Sequence, residues 1–164
     1  MKTERIEPGP GQESVWDYPR PPRLERVRQA VRVEFAGEVI LETMDAVRVL
    51  ETSHPPSYYL PMEELVRGLL VPNADQSFCE WKGRAVYFDV CVRDQVAPRA
   101  AWGYPAPATR FGAIAGRVAF YAGMMDACYV DGERVMPQAG GFYGGWITST
   151  VVGPFKGGPG TASW

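Results

Sequence analysis

The fold class predicted for this 164-residue chain is mainly β: a compact antiparallel sheet domain with one short helix and long ordered coil extensions. Three observations predict it. Apolar and polar residues alternate with a period of two over several short runs from Val31 onward, which turns one face of each run toward a core. Turn-forming pairs, Ala36–Gly37, Lys82–Gly83 and Asp131–Gly132, separate those runs. Eighteen glycines and fifteen prolines, about a fifth of the chain, suit many turns and short strands, while 46% hydrophobic residues supply a core.

In chain order, residues 1–30 read as an N-terminal arm, 31–135 as the β-rich core and 136–164 as a C-terminal extension. The arm is polar and ends in YPRPP, where proline fixes φ and restrains its predecessor, so Tyr18 to Pro22 is expected to be extended. Leu24 and Val27, three apart, suggest a short helix over 23–29. VRVEF then sets Val31, Val33 and Phe35 against Arg32 and Glu34, and EVILET and DAVRVLE continue a meander. The one clear helix begins at Pro61 and runs through MEELVRGLL. Proline suits a first helical position, Glu63 and Glu64 suit the positive end, Met62, Leu65 and Leu69 share a face, and Pro72–Asn73 ends it.

SFCEWKGRAVYFDVCV reads as two strands about Lys82–Gly83, with Phe78, Glu80 and Lys82 on one side of the first and Cys79 and Trp81 on the other. Residues 94–112, carrying AWGYPAP, read as a loop. Strands resume at GRVAFYA and ACYV, closed by Asp131–Gly132. The extension holds eight glycines, three prolines and no acid, together with Phe142, Tyr143, Trp146, Phe155 and Trp164. Burying each such ring contributes about 1.5–3 kcal/mol, so ordered coil packed on the core or on a second subunit is expected rather than a flexible linker.

Composition also excludes. Nearly balanced charge, net −2, gives no basic field for a polyanion, and Glu25 and Glu34 interrupt the local arginine run, so no nucleic-acid partner is expected. No apolar stretch approaches the roughly 20 residues that span a bilayer, and the first 23 residues lack the apolar centre of a secretory signal. No membrane partner is expected. Three widely separated cysteines, Cys79, Cys91 and Cys128, suggest free thiols and a cytoplasmic location.

Several segments taken together, ESVWDYPRPP, VLETSHPPSYYLP, CEWKGRAVYFDV, AAWGYPAP, VAFYAGMMDACYVDGERV and FYGGWITSTVVGPFKGGPGT, resemble the family catalogued as domain of unknown function 427, in its longer form with both terminal extensions. The central match covers about residues 30–135. The resemblance implies a compact, tent-like antiparallel β domain and implies no established activity.

Candidate chemistry centres on ETSHPPSYYLP. His54 is the single histidine, held out of helical geometry by Pro55 and stiffened by Pro56. Glu51 is placed to orient the imidazole, and Tyr58 and Tyr59 could supply a hydroxyl. The alternative reading is an ordered turn whose tyrosines cover the core. Lys82 at a hairpin tip offers an anion-binding point charge and Trp81 a stacking face, or else Trp81 and Cys79 are core and Lys82 a solvated turn residue. Trp102 and Tyr104 with their neighbouring prolines could wall a recess or brace a loop. Zinc is not expected, because the nearest cysteines are twelve residues apart and structural sites bring ligands in close pairs. GPFKGGPGT lacks the order of a P-loop, since Lys156 precedes the glycine pair and no helix follows it. No cofactor is implied.

The expectation for function is thus a small-molecule-binding β domain with an aromatic-walled polar pocket containing His54, Tyr59, Trp81, Lys82, Trp102 and Tyr104. One alternative is an interaction or homo-oligomer module using the extension. The third is a small enzyme using Glu51 and His54 as an acid–base pair, with Lys82 or Lys156 holding an anionic substrate.

Overall fold

The computed structural model describes residues 3–66 and 68–164. Alternation becomes sheet wherever one face of a run can be buried: Val31, Val33 and Phe35 of VRVEF are buried, while Arg32 and Glu34 are half-exposed. The arm holds the two-residue strand β1 (Glu13–Ser14). The core strands are β2 (Arg23–Val27), β3 (Val31–Phe35), β4 (Glu38–Thr43), β5 (Ala46–Leu50), β6 (Ser57–Pro61), β7 (Leu69–Cys79), β8 (Gly83–Val92), β9 (Gln95–Gly103), β10 (Arg117–Phe120), β11 (Ala127–Val130) and β12 (Glu133–Arg134). The extension adds β13 (Met136–Pro137), β14 (Trp146–Ile147) and β15 (Val151–Val152).

A seven-stranded sheet runs β2-β5-β6-β10-β9-β8-β7 and a four-stranded sheet runs β12-β11-β3-β4, with every pairing in both antiparallel. Residues from both sheets, among them Val33, Ile40, Leu41, Leu60, Val90 and Phe120, form one buried cluster, so the sheets close on each other. The expected turns are present. Ala36 and Gly37 have φ of 54° and 76°, and Asp131 and Gly132 have 51° and 77°, the left-handed pair that a tight hairpin needs.

Three local expectations are corrected. Residues 23–27 are not helical but form β2, paired residue for residue with β5 from Arg23–Leu50 to Val27–Ala46. Two apolar positions carry little helical information, and a full ladder outweighs them. The helix expected from Pro61 shrinks to a single 3-10 turn, Met62–Glu64, and Leu69, meant for its apolar face, starts an eleven-residue strand with 62% of its surface exposed. Arg67 lies outside the described residues. A helix of this length is marginal without a buried stripe, and β7 gains ladder bonds to β8 instead. Residues 95–103, assigned to a loop, are β9. Pro98 falls where the β8–β9 register shifts, and the next residue, Arg99, donates its amide N–H to Asp89 Oδ1 at 2.8 Å rather than to the ladder.

Both extensions are packed on this frame. β1 pairs in parallel with β15, and β13 pairs with β14. Trp146 is 1% exposed, stacks on Tyr58 at 5.1 Å and donates its indole N–H to the Phe120 carbonyl. Val15, Tyr18, Leu50 and Val151 form a separate small cluster where the arm, the sheet and the extension meet. Arg48, nearly buried, binds Glu13 of the arm and Glu25 of β2 at 2.8 and 2.6 Å, which ties the arm down further. Among the described residues no helix is long and apolar enough to cross a membrane.

Candidate functional site

Strand parity decides what lies on the outer face of the large sheet. Tyr58 and Leu60 point between the sheets, so Tyr59 points outward; Val47 and Val49, Ala85 and Tyr87, Trp102 and Ala119 do the same on their strands. This outer face carries a second buried cluster, completed by Tyr104, Phe111 and Ile114 from the connection after β9. Above it opens a recess of about 450 Å³, within the range of small-molecule sites. Trp102 Nε1–H donates to the Tyr59 hydroxyl at 3.2 Å, so these two rings form a fixed floor, and burial raises the pKa of both the Tyr59 and Tyr104 hydroxyls. The Tyr104 hydroxyl donates to no described residue.

One side wall is the His54 turn. His54 N–H donates to the Glu51 carbonyl at 3.0 Å, closing a tight turn with Ser53 at φ 72°. A non-glycine residue in the left-handed region persists only when its surroundings hold it. Here Ser53 N–H donates to the Val15 carbonyl of the arm, and the Ser53 carbonyl accepts from Lys156 N–H of the extension. Pro56 then accepts from Trp146 N–H at 2.8 Å. Proline stiffness was legible in the sequence; the clamp between the two extensions was not.

Gln138 sets the chemistry of His54. Its Oε1 accepts from Gly145 N–H at 3.0 Å and its Nε2 donates to the Lys156 carbonyl at 2.7 Å, so two backbone groups fix which end of the amide is which. The same Nε2 lies 3.2 Å from His54 Nδ1, which must therefore accept. The neutral imidazole consequently carries its proton on Nε2, 3.8 Å from Glu51 Oε2. Burial first, and then the charges of Lys156, Arg20 and Lys82, push the imidazole down to about 4. At neutral pH His54, on the lining of the recess, is an uncharged N–H donor beside Glu51, with its other nitrogen occupied. That arrangement does not suit a general base.

The remaining charges are unevenly matched. Arg20 Nε lies 3.7 Å from Glu51 Oε2, and its Nη2 donates to the carbonyls of Thr52 and Trp164. Lys156 Nζ donates to the Trp164 carbonyl at 3.1 Å. Lys82 differs. Only 9% of it is exposed, its ammonium lies 5.5 Å from the Tyr104 ring centre, and among the described residues it has no salt bridge or side-chain hydrogen bond. The strand ends at Cys79, so the expected alternation stops there. Phe78 stays outside at 78% exposure, while Lys82, read as sharing its side, turns inward.

The structure thus brings Glu51, His54, Tyr59, Trp81, Lys82, Trp102, Tyr104 and Lys156 to one recess. Cys79 lines it too, whereas Cys128 sits between the sheets with its thiol pKa raised by burial. Among the described residues no three metal-ligating side chains come together. Sequence reasoning missed Arg20, Gln138 and Tyr121, whose polar or aromatic character carries no local signal. The extension's rings were noticed but not their place: Tyr143 meets His54 edge-on at 4.7 Å, and the Tyr121 hydroxyl donates to the Phe142 carbonyl.

An antiparallel β domain with two packed sheets and a walled recess on the outer face of the larger one is the class this fold and site define. The chain belongs to the family described as "Domain of unknown function (DUF427)", which matches residues 23–131. No curated protein matches it.

Proposed function

We propose that this protein is a small-molecule-binding β domain whose ligand occupies the recess above Tyr59 and Trp102. The observation that carries the reading is the convergence, on rigid elements, of an aromatic floor with a small set of polar groups, His54 Nε2–H, Glu51 and Lys82. The two other readings have less support. Trp146 of the extension faces inward, and Phe142 and Tyr143 stand at the mouth of the recess, so the extension serves the pocket before any partner. An acid–base pair of Glu51 and His54 would need a free imidazole lone pair, and Gln138 takes it. Three free cysteines fit a cytoplasmic setting.

Thermal-shift screening of the full chain against a metabolite library tests the proposal. At least one compound is expected to raise the melting temperature, and Tyr143→Ala, a change at the half-exposed rim, is expected to weaken that shift by roughly tenfold in concentration, as for loss of one aromatic contact. A library without any stabilising compound, or an effect indifferent to Tyr143→Ala, would count against it.

A further inference from the structure

Resting on the pocket proposed above, the unpartnered Lys82 ammonium narrows the class of ligand. Lys82 buries most of its stem while its ammonium keeps access to the recess, and a charge held in so enclosed a place is normally paired. Lys82 is nine-tenths buried, yet no described side chain offers it a carboxylate or a hydrogen bond. Glu80, two residues earlier, is exposed. Glu51 already faces Arg20 and His54. The charged side chains lining the recess are Arg20, Lys82 and Lys156 against Glu51 and Glu80, and only Glu51 among the acids is held inside.

We propose that the recess binds an organic oxyanion, a carboxylate or a phosphate carried on a flat apolar body, with the oxyanion on Lys82 and the body against the aromatic floor. Lys82 supplies the charge and His54 Nε2–H a neutral donor, so one anionic group can be met without a second full charge. Trp102, Tyr104 and Trp81 provide the apolar and stacking surface. His54 supports this assignment by its tautomer. A protonated imidazole would add another cation beside Lys82 and Lys156, and the surroundings keep it neutral.

Paired probes test the idea on the full chain by following the indole N–H resonances of Trp81 and Trp102 in nitrogen-edited NMR titrations. Indole-3-acetate is compared with indole-3-acetamide, and phenyl phosphate with phenol. The oxyanion of at least one pair is expected to bind tenfold or more tightly than its neutral counterpart. The pair with the larger gap identifies the head group as carboxylate or phosphate. Lys82→Met should erase the gap and Lys82→Arg should retain most of it. Equal binding within both pairs, or a gap that survives Lys82→Met, overturns the oxyanion assignment while leaving the pocket reading standing. Failure of all four probes to move either indole overturns both. The wild-type comparison decides the question even if Lys82→Met does not fold.

Discussion

His54 is where burial, hydrogen bonding and charge meet, and its titration is measurable as stability. Its folded pKa, about 4, lies below the ordinary 6.5 of an unfolded chain. Between those values the unfolded state binds the proton and the folded state does not, so stability is fully present above pH 6.5 and is lost as pH falls toward 4. The gap corresponds to at most about 3 kcal/mol. Urea denaturation of wild type and His54→Gln across pH 7 to 4 should show this slope in the wild type and a flatter one in the variant. Parallel slopes would mean that the imidazole is not held neutral. At this scale the sequence was half legible. Pro55 and Pro56 announce a rigid histidine, but Gln138, which sets its tautomer, is 84 positions away and looks like any other glutamine.

Among the elements, the segment from Gln138 to Gly145 is governed by how closely backbone can approach rings. A Cβ on Gly144 would lie 2.2 Å from the far edge of the Trp102 indole, and one on Gly145 would lie 2.5 Å from the Pro55 carbonyl. Gly144→Ala therefore forces the loop off the floor of the recess or the indole out of place, at a cost of about 1–3 kcal/mol. Gly112→Ala, where an added methyl meets nothing, should stay within about 0.5 kcal/mol. Denaturation midpoints and Trp102 indole resonances of the two variants distinguish a packing requirement from a general preference for glycine. Strands with one buried face, such as β3, were legible from alternation. β2, β9 and the part of β7 before Ser77 were not, because edge exposure in β7 and the irregularity at Pro98 in β9 break the period on which the reading depends.

For the molecule as a whole, the two sheets share a core that the extension completes. Trp146 fills it from outside the family-matched segment, stacked on Tyr58 and bonded to Phe120. Trp146→Ala should cost about 3–5 kcal/mol, as for other buried large rings, and chemical denaturation would read it. A loss below about 1 kcal/mol would show the extension to be dispensable. The aromatic content of residues 136–164 made their order legible; which ring would enter the core was not, since Phe142 and Tyr143 remain half-exposed while Trp146 is buried.

The family match spans 23–131, yet Arg20, Phe142, Tyr143, Gly144, Lys156 and Trp164 all line the recess, and Gln138 orients His54. The floor and the His54 turn thus lie within the matched segment, while the rest of the rim comes from the two flanking segments. Any molecule seated there would touch both, and would so fasten two remote stretches of chain to each other.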